Sequence, residues 1–329
     1  DLGNTQSTIE LGTQVVKRER DSDSASFGFT GGQMLDDNAP SRLISEVINQ
    51  DSITGDSGTG YTFQDKTLAS DSYVADLDLT AAYLSYDLLI GERFQIVAGG
   101  RYEDFLQTTD SFSLQGGDIQ ATTAAVRSEL DESSFLPTLA FNWFFTENQT
   151  LRLAASKTVS RPDFKETSNA TFYDTDFDIR IRGNPNLQIS EAFNADMRYQ
   201  FYWDDLNSVS AAVFYKDIDK PIERVVQPAS GTAGNTRTFV NANDAELWGI
   251  EVEGRKDFPF GSSLSKSFFL AGNFSWIESE VKLPNGSNRA LQGQPEYIVN
   301  FIIGYDDINN DHELTLLLNQ SGDTIVDVG

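Results

Sequence analysis

Cysteine is absent from the chain, which excludes disulfides, thiol nucleophiles and thiolate metal sites. Histidine is almost absent. The single residue, His312, cannot build a multi-histidine metal centre, argues against a Ser/His/Asp triad and reads as a turn residue. No run approaches the ~18 apolar residues of a membrane-spanning helix, and mean hydropathy is -0.35, so helical spanning is excluded. Positive charge is also in short supply: 24 Lys and Arg face 50 Asp and Glu, for a net charge of -26 and a pI near 4.2. A field of that sign repels phosphates, which removes nucleic acid from the partners. The chain opens on Asp1 with neither Met nor a charged-then-apolar leader, as a processed product or an excerpt of a longer protein does.

What the sequence has in quantity is alternation with a period of two. Phe193, Ala195, Met197, Tyr199 and Phe201 share one parity while Asn194, Asp196, Arg198 and Gln200 share the other, so an extended segment there has an apolar and a polar face. After about five polar residues the pattern resumes at Val209, Ala211, Val213 and Tyr215, which predicts a hairpin. Its strands are about ten residues long. Soluble strands usually run about five or six, whereas a tilted strand crossing hydrocarbon needs about nine to eleven.

The same unit repeats along the chain. Alternation covers 6–20, 73–89, 94–103, 138–145, 151–155, 250–255, 268–276, 299–305 and 314–318. Polar stretches at 21–72, 104–133, about thirty residues from Arg161, 217–245 and around 285–287 read as loops, with a short helical segment over 42–49 inside the first. That gives about eleven strands in which short turns and long loops strictly alternate. An up-and-down membrane barrel segregates its loops in this way, with short turns on the periplasmic side and long loops outside. Aromatics fall where interfacial girdles belong: Trp143, Phe145, Phe201, Tyr202 and Trp203 beside short turns, Tyr102 and Trp276 near long loops. The plainer reading makes them core residues of a secreted β-rich adhesin or glycan-binding module.

Residues 150–164, Arg-Gly-Asn-Pro-Asn-Leu at 182–187, the Ser-Ala-Ala-Val-Phe-Tyr-Lys-Asp-Ile-Asp-Lys-Pro-Ile run at 210–222 and Ala-Glu-Leu-Trp-Gly-Ile-Glu-Val-Glu-Gly at 245–254 resemble successive strands of TonB-dependent outer-membrane receptors. Leu-Pro-Thr-Leu-Ala-Phe-Asn-Trp at 136–143 and Gly-Glu-Arg-Phe-Gln-Ile-Val-Ala-Gly-Gly-Arg-Tyr-Glu at 91–103 extend the resemblance over essentially the whole chain. It implies an all-β, antiparallel, up-and-down transmembrane barrel, of which this chain holds about eleven of 22 strands. It further implies an outer-membrane location in a Gram-negative bacterium, a scarce nutrient as ligand (siderophore-iron, cobalamin or glycan), contact with outer-membrane lipid and lipopolysaccharide, and energy from the TonB–ExbB–ExbD complex acting through an N-terminal plug. Plug, TonB box and C-terminal strands are expected outside residues 1–329. Open sheet edges are not tolerated in hydrocarbon, which favours part of a larger barrel over a closed twelve-stranded one that uses 324–327 as a last strand.

Binding residues are harder to read. Arg101, Glu103, Arg152, Asp196, Arg198, Glu251, Glu253 and Arg255 share the lumen parity, and of these Arg101 and Arg198 are the solute-guiding candidates; a ladder of cross-strand ion pairs is the plainer role. Phe172, Tyr173, Asp174 and Asp176 mix aromatics with carboxylates at a loop tip, as a sugar-binding or calcium-binding surface does. Residues 306–313 have the composition of a calcium loop without its sixth-position glycine and read as a turn. No catalytic set and no resident cofactor are expected. The acidic loops show no arginine cluster in sequence, which favours neutral or cationic solutes or glycans over anions.

Overall fold

The computed structural model describes residues 5–23, 25, 27–31, 48–53, 60–65, 72–111, 126–174, 179–227, 236–260, 266–283, 287–307 and 309–328. Its first strands are β1 (Gln6–Ser22), β2 (Phe27–Gly31), β3 (Tyr61–Asp65), β4 (Tyr73–Ile90), β5 (Phe94–Ser111) and β6 (Val126–Thr146). They are followed by β7 (Gln149–Ser160), helix α1 (Phe164–Thr167), β8 (Thr171–Asp174), β9 (Ile179–Arg182), β10 (Ser190–Tyr202), β11 (Ser208–Asp219) and β12 (Ile222–Gln227). Last come β13 (Thr236–Asn241), β14 (Asp244–Phe260), β15 (Lys266–Lys282), β16 (Asn288–Arg289), β17 (Tyr297–Asp307) and β18 (His312–Ser321).

A single antiparallel wall runs in the order β1-β4-β5-β6-β7-β10-β11-β14-β15-β17-β18, with β16 paired to β15. This is the up-and-down barrel wall that the alternation predicts, in part. Its strands run from 10 to 21 residues, long enough to cross hydrocarbon and continue beyond it. Because side chains alternate, one register fixes every face. From Ile9, direct partners run through Tyr86, Ala98, Leu139, Ala155, Ala195, Tyr215 and Trp248. All of these belong to the apolar parity, and the larger side chains on it, such as Leu11, Met197, Phe274 and Leu316, are exposed. In water that band would be a liability; in lipid it is the stabilised face.

One end of the wall is closed by tight reversals. Gly91 takes φ 51 between β4 and β5, a left-handed conformation open to glycine at little cost. In the β10–β11 turn the Asp204 carboxylate accepts from the Leu206 and Asn207 N–H groups at 3.0 and 2.9 Å, and the Asn207 side-chain bond pulls its pKa below the ordinary value. At the β17–β18 turn Asp307 takes Lys266 and Asn310 at 3.0 and 2.8 Å, so the acidic residues there hold a turn together. Rings gather beside these reversals: Phe94 lies 6.0 Å from Trp143, Trp143 4.0 Å from Phe145, and Phe268 5.1 Å from both Phe260 and Tyr305. At the opposite level Trp248 meets Trp276 edge-on at 5.0 Å. Two girdles result.

The loop expectations need correction at that opposite end. Residues 104–111 and 126–133 are strand, with Asp104 opposite Ser133 and Asp110 opposite Arg127. The apolar period is lost there because the outward face has left the hydrocarbon, while the inward face, from Glu103 through Phe105, Gln107 and Thr109 to Ser111, is buried against the chain's own loops. Residues 217–245 are likewise not a plain loop: β11 continues to Asp219, β14 begins at Asp244, and β12 and β13 pair between them. Inside 21–72, β2 and β3 form a two-stranded piece; the helical segment expected over 42–49 lies, from 42 to 47, outside the described residues. Residues 324–327 do not extend the wall. The tail turns onto β12 instead, where Val328 bridges Val225.

Candidate functional site

Helix α1 packs against the polar parity of β5, which makes that face the inner one. The Thr167 and Thr109 hydroxyls lie 3.0 Å apart, and the Gln107 side-chain amide donates to the Pro162 carbonyl at 3.3 Å. Phe164 is buried with Tyr73, Ala75 and Ala170. Arg161, at the foot of the loop, lies 4.4 Å over the Phe105 ring and donates to Glu103 at 2.7 Å. A cation thus closes an aromatic face and a carboxylate together. The Glu166 carboxylate accepts from the Asp163 N–H at 2.9 Å, and burial pushes its pKa up.

Tied to α1 by the Asn184 N–H, which donates to the Glu166 carbonyl at 2.6 Å, a second sheet, β12-β13-β9-β8, forms a cap from the long connections. It joins two long connections, because β13 pairs with β9 in parallel through Thr236–Arg180 and Arg237–Ile181. Two asparagines fasten the junction. Asn184 donates to the Phe239 carbonyl at 2.8 Å, while Asn241 accepts from the Gln188 N–H at 2.9 Å and donates to the Lys220 carbonyl at 2.9 Å. Gly183 is required here: a Cβ would fall inside the carbonyl oxygens of Lys165, Glu166 and Ser168. Further connections lock on from the far side. Arg289 donates to Glu223 at 2.9 Å, Gln292 to the Arg224 carbonyl at 3.0 Å, and Arg237 to Asp327 at 2.8 Å. Four stretches far apart in sequence therefore make one cap.

Below the cap the inner wall is polar and internally bonded. Arg101 donates to Glu103 at 2.6 Å and to Gln14 at 2.8 Å; Arg198 donates to Glu253 at 2.6 Å and to Ser210 at 2.9 Å. Gln95 bridges Asp87 and Asn142, and Asn300 links Asn273 to Asn319. Among the described residues no group of three metal-ligating side chains occurs.

The binding residues expected from sequence are dispersed by this arrangement. Arg101 and Arg198 sit on the inner wall, Arg101 paired with Glu103 on its own strand and Arg198 with Glu253 two strands away. Phe172 packs on the buried cluster, 6.1 Å from Tyr73 and 4.4 Å under the Lys165 ammonium. Tyr173 points the other way and is 58% exposed. The Asp174 backbone ends β8 opposite Ile179, and Asp176 falls outside the described residues. The residues that assemble the mouth, Arg161, Asn184, Asn241 and Arg289, were not legible as a group, because each reaches a partner 53 to 66 positions away.

The chain matches the TonB dependent receptor-like β-barrel family over residues 3–328. It belongs to that family. This overtakes the adhesin reading. Among solved structures it is similar to the siderophore receptor PiuA from Acinetobacter baumannii, at 11% identity and TM-score 0.56 over 97% of this chain and 46% of that one. It is also similar to the ferric-catecholate import receptor Fiu from E. coli K12, at 13% identity and TM-score 0.56 over 92% of this chain and 39% of that one. HasR from Serratia marcescens, solved as a double mutant with its hemophore HasA and heme, aligns at 12% identity and TM-score 0.54 over 96% of this chain and 51% of HasR. At these identities the likeness is one of fold, and the chain spans about half or less of each relative's length. No curated protein sequence matches it.

Proposed function

We propose that this chain is the wall and mouth of an outer-membrane receptor in a Gram-negative bacterium, which captures a scarce small nutrient outside and imports it with work delivered by TonB–ExbB–ExbD through a plug. The observation that carries the reading is the fused cap over a polar, internally bonded inner wall, set at the long-loop end of a membrane-crossing sheet. Such a site needs no covalent step: loops bind, and work releases. The relatives in fold are named for siderophores, ferric catecholate and heme, which supports an iron complex ahead of cobalamin or a glycan. Of the residues singled out in sequence, exposed Tyr173 is the candidate for ligand contact, with Asp174 and Asp176 close to it in sequence, while Phe172 packs on the buried cluster. Calcium held by those carboxylates, and lipopolysaccharide against the outer face, complete the proposal. The test deletes the full-length gene in its native host and scores growth on single iron sources, cobalamin and oligosaccharides, with complementation. Loss of growth on one source, restored by the gene but not when TonB is removed, is expected; unchanged growth on every source would sink the reading.

A further inference from the structure

We infer that the exposed face of the cap sheet is an anion-binding platform whose charged contacts are Arg180 and Arg182 and whose flat contact is Tyr173. The inference rests on the uptake reading and adds the charge class of the ligand, which is opposite to what the chain's net charge suggests. Strand β9 reads Ile-Arg-Ile-Arg, with both isoleucines half-buried and both arginines exposed. Residues two apart on a strand lie roughly 6.7 Å apart on one face, so the two guanidinia form a pair of forks. Tyr173 is the direct partner of Arg180 on β8, Thr236 is its partner on β13, and Gln227 follows on β12. One row across four strands therefore offers a ring, a cation, a hydroxyl and an amide.

Ion pairing and ring contacts separate this pair from five other cations of the mouth. Arg101 and Arg161 share Glu103, Arg289 holds Glu223, Arg237 holds Asp327, and Lys165 lies over Phe172. Arg180 and Arg182 form no ion pair among the described residues; Arg182 donates Nε and Nη2 to the Asn169 amide oxygen at 3.1 and 2.6 Å. A neutral partner orients a guanidinium without cancelling its charge. Asn169 is itself tied to the wall, since its N–H donates to the buried Ser111 hydroxyl at 2.8 Å. Two guanidinium forks on one face, that of Arg182 oriented by Asn169, suit a ligand with two or more oxyanions, such as a metal complex of carboxylates or catecholates, and Tyr173 supplies a surface for a planar ring.

The experiment uses the purified full-length receptor in detergent and three probes: iron(III) citrate and an iron(III) tris-catecholate, both anionic, and a neutral iron(III) trihydroxamate. Binding is followed by tryptophan fluorescence at low and high salt, with heat-modifiable gel mobility as the folding control. The wild type is expected to bind an anionic probe more tightly than the neutral one, with affinity falling as salt rises. Arg180→Gln and Arg182→Gln should each lower anionic affinity by about tenfold or more and leave the neutral probe unchanged. Arg180→Lys should keep part of the affinity. Unchanged anionic binding in the double Gln variant, or an equal loss for the neutral probe, overturns the platform. Binding of the neutral probe alone by the wild type also overturns it while leaving uptake standing; binding of none, with no growth defect on deletion, removes both.

Discussion

The two ends of the wall are built by different physics. At the short-turn end the described reversals carry bonds between residues close in sequence: Arg93 donates to the Ile90 carbonyl, Asp204 caps Leu206 and Asn207, and Asn310 reaches Asp307, which Lys266 also joins from the neighbouring strand. At the long-loop end the stabilising pairs are remote, as with Arg161 and Glu103, Asn184 and Phe239, or Glu223 and Arg289. Local closure makes an end that is simple and cheap to form. Remote closure carries the loop-closure entropy of every connection, and in return presents a preorganised surface whose chemistry can vary without disturbing the wall.

The sharpest break of this contrast is topological and all-or-none. An epitope tag inserted at Asn285, in a long connection, should be stained on intact cells, while one at Asn148, in the β6–β7 turn, should require permeabilised cells. Staining of the Asn148 tag on intact cells would invert the proposed orientation.

Next in size is the remote closure itself. Glu223→Ala leaves Arg289 without its buried partner, and removing one member of such a pair costs about 3–5 kcal/mol. Limited proteolysis should then cut between 220 and 244 much faster in the variant while heat-modifiable mobility stays intact. Equal cleavage rates would show that the cap does not depend on this pair.

The wall between the two ends gives a smaller effect per residue. Phe274→Arg places a charge on the apolar parity at a cost of about 2–4 kcal/mol near the bilayer midplane, whereas Asn194→Arg, on the inner parity, should assemble normally. Comparable assembly yields from the two variants would refute the face assignment.

The smallest change belongs to a single local turn. Asp204→Ala removes the caps on Leu206 and Asn207 and should lower the urea midpoint slightly without affecting binding. Hydrogen bonding lowers the folded-state pKa of Asp204 from 3.8. Its contribution is therefore complete above that unfolded value and is lost as pH falls through the lower folded value. The difference between wild type and variant should close only under strongly acidic conditions; a difference that persists there would mean the turn is not held by the carboxylate.

Much of the wall was readable because its signal is local and redundant. Phe193 through Phe201 announce a strand by parity alone, and the same parity recurs on every wall strand, so an error in one segment is outvoted by its neighbours. Reading failed at 104–111 and 126–133 for a definite reason: beyond the hydrocarbon both faces are mostly polar, with Phe105, Leu106 and Leu130 scattered among them, and alternation of hydrophobicity is lost although the ladder from Asp104–Ser133 to Ser111–Val126 continues. It failed at 217–245 because β12 is supported by β13 and the tail, neither of which is implied by its own six residues. The Ile-Arg-Ile-Arg alternation at 179–182 was a usable signal for β9, and with it for the arginine pair, but four residues inside a polar stretch are a faint one.

By itself the sequence determined the class and the plan of this protein: no thiol chemistry, no membrane helix, a wall of long alternating strands, and short turns segregated from long loops. Those properties follow from composition and from a period of two, which any strand at a lipid–water boundary has to obey. The tertiary structure alone decided what the mouth is. Which arginines are neutralised by Glu103 and Glu253, and which are left to a ligand, depends on how connections from four parts of the chain fold over the inner wall. Charge is a property of residues, but potential is a property of where the fold puts them.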